Sequence, residues 1–262
     1  MRSFNPNKLP PLTKIMYDSQ QKLNINNWES TLRAHQKKVE DCLKKIKVFD
    51  AWRNKLKDTQ KEIAQSLIQE IFLDAYMSVH FACMALYKQA HVSLRAELET
   101  ALRLVYFSTH PVEFKWWRED KAYFHGRHVW GEKFDYFKNL EYFQRFEEKS
   151  HVKLFEVDNK NNPFNIGKIY KILSMYVHSG FPAFLTTMQS VAPAYKRADF
   201  NRWAVNFKEV QKCVNTILTL GFSVEFKALG VDAKRNVLKV IGDRNYKQGL
   251  KQTLELKIRG RI

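Results

Sequence analysis

The chain has 262 residues, 45% of them apolar, punctuated by only 9 Gly and 7 Pro. That composition excludes a disordered chain and argues against a many-turned β fold. Its formal net charge is +17, from 44 Lys and Arg against 27 Asp and Glu, a field that attracts polyanions, nucleic acid first and an anionic membrane surface second.

Residues 1–57 hold 13 Lys and Arg against 5 Asp and Glu, a local +8. Residues 1–13, with Pro6, Pro10 and Pro11, are expected to form an extended arm. Beyond them Leu32, Val39, Leu43, Ile46 and Phe49 recur at helical spacing, a thin stripe expected to lie on the surface of a main bundle. The opening MRSFNPNKLPPL lacks the apolar run of a signal peptide. The longest apolar-rich stretch, Ile71 to Leu86, is interrupted by Asp74 and His80 and is too short to span a bilayer. A cytoplasmic soluble protein is expected, with no membrane association.

Ile63, Leu67, Ile71, Ala75, Val79 and Ala82 keep helical spacing and predict a helix over 59–87, ended by Lys88 and Gln89. A second helix is predicted over 90–108, joined to the first as an αα-hairpin and stopped by Thr109, His110 and Pro111. On it Leu94, Leu98, Ala101, Leu102 and Val105 share one arc, and Arg95, Glu99, Arg103 and Tyr106 share the adjacent one. This ladder reads either as a solvated flank with weak ion pairs or as a groove-lining cluster drawn against another helix.

Residues 112–131 are the most aromatic stretch, interleaving Trp116, Trp117, Tyr123, Phe124 and Trp130 with Arg118, His125, Arg127 and His128. Such a mixture can stack bases and hold phosphates, or simply pack a helix edge. Residues 132–149 predict an amphipathic helix carrying Phe134, Phe137, Tyr142, Phe143 and Phe146, and 150–163 a loop. A helix over 166–178 has Ile166, Ile169, Tyr170, Leu173 and Val177 on its apolar arc and Lys171, Ser174 and His178 on one flank. Gly180 and Pro182 end it, and an irregular segment over 181–195 follows. The next helix, over 201–226, carries Val205, Val210, Val214, Ile217, Leu218 and Phe222. The tail 227–262 has 10 basic and 3 acidic residues, a local +7, and its final TLELKIRGRI fits a strand or a frayed helix. The chain is thus expected to be all-α, with a basic arm and helical extension (1–57), a bundle core (58–226) and a basic tail (227–262).

Cys42, Cys83 and Cys213 form no CxxC pair and sit in helix-like contexts, which suggests reduced, buried thiols. No HExxH, glycine-rich phosphate loop or GxSxG is present, and His125 and His128 are the sole tight histidine pair. No metal or other cofactor is expected.

LRAELETALRLVYFSTHPVEF, followed by YKILSMYVHSG, resembles the HEPN-like group of bacterial helical proteins, over roughly residues 60 to 220. In that group one helix carries an arginine and an acidic residue and a later helix ends in a histidine. The resemblance implies a four- or five-helix bundle, often dimeric, and a metal-independent endoribonuclease of a toxin or anti-phage defence system. By resemblance Arg95 and Glu99 match the first element and His178 the second, with Lys171 standing where an arginine is usual. Arg95, Glu99, Ser174 and His178 are the candidate catalytic residues. Arg103, Lys171, Arg118, His125 and Arg127 are the candidate nucleic-acid contacts. RNA or another nucleic acid is the expected partner, together with a second copy of the chain and a protein of the same defence system. The competing reading is a non-catalytic helical module that binds nucleic acid or a partner protein.

Overall fold

The computed structural model describes residues 5–59, 61–119, 134–157, 165–178 and 194–256, and every regular element among them is helical. A 3-10 turn at Pro6–Lys8 precedes α1 (Pro11–Ile46), α2 (Phe49–Thr59), α3 (Lys61–Cys83), α4 (Tyr87–Thr109) and α5 (Pro111–Arg118). Then follow α6 (Asp135–Lys138), α7 (Glu141–Ser150), α8 (Ile166–Val177), α9 (Arg197–Gly221), α10 (Ser223–Lys227), α11 (Val231–Ile241) and α12 (Arg244–Thr253). No helix among the described residues is long and apolar enough to cross a membrane.

The expected arm is shorter than residues 1–13, because Pro11 begins a helix rather than prolonging an extended strand. Proline at the first helical position costs nothing, since its missing N–H would have no intrahelical partner and its fixed φ suits the helix. The buried stripe of α1 is also more polar than expected: Asn27, Thr31, His35, Val39, Cys42 and Ile46, while Leu32 and Leu43 face solvent. The polar members bond to the end of α3. Asn27 Nδ2 donates to the Met84 carbonyl at 3.2 Å and Thr31 Oγ1 to the Cys83 carbonyl at 3.3 Å, satisfying acceptors that a helix C-terminus leaves open. His35 stacks on Phe200 with ring centroids 4.2 Å apart. Residues on α2 belong to the same core as the later helices. Trp52 and Leu56 are fully buried, and Trp52 Nε1 donates to Asn215 Oδ1 on α9 at 3.3 Å.

The α3–α4 hairpin forms the centre of the bundle. Its turn comes at Met84–Leu86, earlier than Lys88 and Gln89: Leu86 N–H bonds to the Phe81 carbonyl and Ala85 N–H to the Ala82 carbonyl. These are the two bonds of a Schellman stop, whose left-handed residue is usually glycine but here is Ala85, with φ 60°. The apolar arc of α4 is buried throughout, with Leu94, Leu98, Ala101 and Leu102 at 0% exposure. It packs against α3, α8 and α9. On α9 Val210, Val214, Ile217 and Leu218 are buried as expected, but Val205 faces solvent, and Phe200, Trp203 and Phe207 fill its amino-terminal half.

The single helix expected over 132–149 is two, α6 and α7, broken at Asn139 and Leu140. An unbroken helix would point Phe137 and Phe146 roughly 180° apart; the break lets both be fully buried. The tail folds back as α11 and α12, burying Leu238, Ile241, Tyr246 and Leu250 in the common core. The end of TLELKIRGRI, beyond Leu256, lies outside the described residues, as do most of residues 158–164 of the expected loop and the segment 179–193.

Candidate active site on the flank of the central helix

Two local devices set the second helix of the site. Asn165 caps α8: its side-chain oxygen accepts from Lys168 N–H at 2.8 Å, and its amide donates to the Lys153 and Glu156 carbonyls, so the start of α8 is bolted to the chain before it. Gly167 follows, and a β-carbon there would lie 2.5 Å from the Phe155 carbonyl oxygen. Only glycine allows that approach, which brings α8 down against α4.

Once seated, α8 meets the polar flank of α4. Arg95 Nε donates to Glu99 Oε1 at 2.8 Å, Arg95 Nη2 donates to the Tyr170 hydroxyl at 3.2 Å, and that hydroxyl donates to Glu99 Oε1 at 3.3 Å. The Arg95 guanidinium lies 5.1 Å from the centroid of the Tyr170 ring. Its third nitrogen, Nη1, stands 3.3 Å from His178 Nε2. A guanidinium can only donate, so His178 accepts through an unprotonated Nε2 and carries any ring proton on Nδ1. On the other side of Glu99, Arg103 Nη2 lies 3.6 Å from Oε2. Arg95 and Glu99 keep only 17% and 15% of their side-chain surface in water, whereas His178 is exposed. The arrangement is a guanidinium fixed from below by a carboxylate and a phenol, presenting one edge to an open imidazole.

The electrostatics follow from burial and partners. Burial works against the charge of Arg95, but the hydrogen bond and charge of Glu99 outweigh it and raise its pKa above the usual arginine value. Burial lowers that of Arg103, with Glu99 opposing. Tyr170 is raised by burial and by Glu99. Behind this flank lies a second acidic layer. Glu97 on α4 is 0% exposed; its Oε1 accepts from Gln211 Nε2 of α9 at 2.7 Å and its Oε2 meets no hydrogen-bond partner. Full burial holds its pKa well above the usual carboxyl range, so Glu97 is a neutral acid. Asp74 on α3 is pushed up to about 6 by burial and by Glu70, with Arg103 opposing.

Of the residues singled out in the sequence, Arg95, Glu99 and His178 therefore come together, with Arg103 at the edge. Ser174 does not take the donor role expected of it. Its hydroxyl donates to the Tyr170 carbonyl one turn back, at 2.7 Å, the local bond that serine makes inside a helix. Lys171 is exposed on the neighbouring flank of α8. Arg118 is held elsewhere, donating to Glu62 Oε1 at 2.8 Å. His125, Arg127 and His128 lie outside the described residues. Tyr170 is the member the sequence reading missed, because at helical spacing it sits on the apolar arc of α8 and its ring does pack there, 5.5 Å from Phe134; its hydroxyl alone reaches the site. His91 is a satisfied core histidine, bonded to the Tyr87 carbonyl and Asn206, stacked on Tyr176 at 3.6 Å and lowered to about 4 by burial. Among the described residues no three His, Cys, Asp or Glu side chains stand where they could share a metal ion. The three cysteines are free and buried.

Comparison with protein-family models, with characterised proteins and with solved structures finds no match to this chain.

Proposed function

We propose that the protein is an HEPN-like RNA-binding effector of a toxin or anti-phage defence system, and that it cleaves RNA without a metal at Arg95, Glu99 and His178. The observation that carries this reading is the Arg95–His178 pair: a fixed guanidinium beside an exposed imidazole whose Nε2 bears a lone pair. RNA transesterification needs a base for the 2′-hydroxyl, cationic donors for the charge that develops on phosphorus, and a proton for the departing 5′-oxygen. His178 Nε2 takes the 2′-hydroxyl proton, the 2′-oxygen attacks phosphorus, and the phosphorus–5′-oxygen bond breaks. The imidazolium so formed, or a water, protonates the leaving oxygen. The products are a 2′,3′-cyclic phosphate and a 5′-hydroxyl. Arg95 releases Nε2 and turns its Nη edge to the phosphoryl oxygens, while Glu99 and Tyr170 keep the guanidinium in place.

A second reading has a specific observation behind it. Arg95 spends three of its nitrogens inside the fold, on Glu99, Tyr170 and His178, as a lock between α4 and α8 would. On that reading the chain binds nucleic acid or a partner protein and cleaves nothing. The purified protein incubated in EDTA with an end-labelled oligoribonucleotide separates the two. The ribonuclease reading expects fragments ending in a 2′,3′-cyclic phosphate; an intact strand at high protein concentration rejects it.

A further inference from the structure

The two basic chain segments, 1–57 with a net +8 and 227–262 with a net +7, leave only +2 of the total +17 for everything between them. They are remote in sequence, yet they meet. The end of α1, the start of α2 and one face of α11 enclose a groove of about 750 Å³. None of these three helices carries Arg95, Glu99, Tyr170 or His178. The floor is aliphatic, with Val48, Ala51 and Val240, and the rim carries Lys45, Lys47 and Lys239. Two other charges on the wall are already occupied: Lys44 pairs with Glu40 at 2.6 Å and Asp50 with Arg53 at 3.1 Å. The rim lysines make no ion pair among the described residues, and Asp41 is the one further acid on the wall.

We propose that this groove is a second RNA-docking surface, which holds a single-stranded segment away from the α4–α8 site; the proposal rests on the RNA reading of that site. A volume of this size is within the range that accommodates a nucleotide or two. A strand offers one phosphate per nucleotide to the lysine rim and the face of each base to an aliphatic floor. No donor pattern in the groove selects one base, so docking is tolerant of sequence and sensitive to salt. The groove anchors substrate; the flank of α4 cuts it.

The test uses a fluorescein-labelled 20-mer of 2′-O-methyl uridylate, which lacks the attacking hydroxyl, with anisotropy read in EDTA over a salt series. Lys45→Glu with Lys239→Glu is compared with Lys208→Glu plus Lys227→Glu, two exposed lysines outside the groove carrying the same charge change. Ala233→Trp, on the groove wall, fills the space and adds no charge. Melting curves confirm that each variant is folded. We expect the groove pair to weaken binding about tenfold more than the control pair and to lower the salt slope by about 2. Ala233→Trp should weaken binding several-fold at an unchanged slope. Equal losses in the two double variants, or parent-like binding by Ala233→Trp, overturn the groove while leaving a cleaving site intact. A parent protein that neither binds this strand nor cleaves RNA overturns both. Binding to poly-L-glutamate but not to the oligonucleotide overturns the groove as an RNA surface in favour of an acidic protein partner.

Discussion

Glu97 and Glu99 stand two residues apart on α4 and live in opposite worlds. Glu99 lies between two guanidinium groups at the edge of water, 2.8 Å from Arg95 and 3.6 Å from Arg103. Glu97 points inward, is fully enclosed and has one amide for company. Two residues is about half a helical turn, so the same helix offers one carboxyl to the active flank and the other to the core. Charge here is set by what each face of α4 packs against. An acid that burial keeps neutral shapes the interior, and an acid held between arginines orients a cation that can meet substrate.

The largest way to break this comparison is to delete the inner acid. Glu97→Ala removes a buried side chain and leaves the Gln211 amide without its acceptor, and should cost about 2–4 kcal/mol, a fall in Tm of roughly 5–15 °C for a chain of this size. Glu97→Gln, a neutral isostere of a neutral acid, should stay within about 1 kcal/mol of the parent near neutral pH. If the two variants melt alike, Glu97 is not the neutral hydrogen-bond acceptor described here. Next in size is Glu99→Ala, which strands two guanidinium groups at once; a loss of about 1–3 kcal/mol is expected by urea denaturation. A midpoint identical to the parent would make the ladder a solvated flank of no consequence.

Asp74 sharpens the same contrast through pH. Its folded pKa is raised to about 6, above the unfolded value of about 4. The folded state therefore binds more protons in that window, and the contribution of Asp74 to stability is present below pH ~4 and is lost as pH rises through ~6. Asp74→Asn should accordingly raise Tm at pH 7.5 relative to the parent more than it does at pH 4.5. A difference of the opposite sign contradicts the buried environment assigned to this carboxyl. The smallest effect on stability is expected from Tyr170→Phe, which deletes only the hydroxyl that links Arg95 to Glu99: about 1 kcal/mol, with a larger loss in RNA cleavage than in melting temperature. Equal losses in both would make Tyr170 a packing residue only.

These contrasts also mark what the sequence discloses. Period alone places the core of α3 and α4 and the arc of α8, since Leu94, Leu98 and Leu173 are where helical spacing puts them. It also places Arg95, Glu99 and His178 on flanks that meet. It does not find the hairpin turn, because the left-handed residue is Ala85 and not a glycine. It misreads α1, whose buried stripe is carried by Asn27, Thr31 and His35, polar residues that are legible as core only when their partners on α3 and α9 are in view. Tyr170 escapes for a related reason: one side chain serves the core with its ring and the site with its oxygen, and periodicity registers only the ring. The groove formed by α1, α2 and α11 is a meeting of chain ends, a long-range contact that no local pattern encodes.

The central claim is that the Arg95–His178 edge does chemistry and is not merely a lock between two helices. It is tested most directly by His178→Ala and Arg95→Ala, each assayed in EDTA on the same oligoribonucleotide and each melted beside the parent. His178 is exposed, so its removal should abolish cleavage and leave Tm within about 1–2 °C of the parent, a change of under ~1 kcal/mol. Arg95→Ala should abolish cleavage as well, with a modest fall in Tm from the unpaired Glu99. Undiminished cleavage by His178→Ala, or a parent that yields no cyclic-phosphate product, would contradict the claim and leave the pair as structure alone.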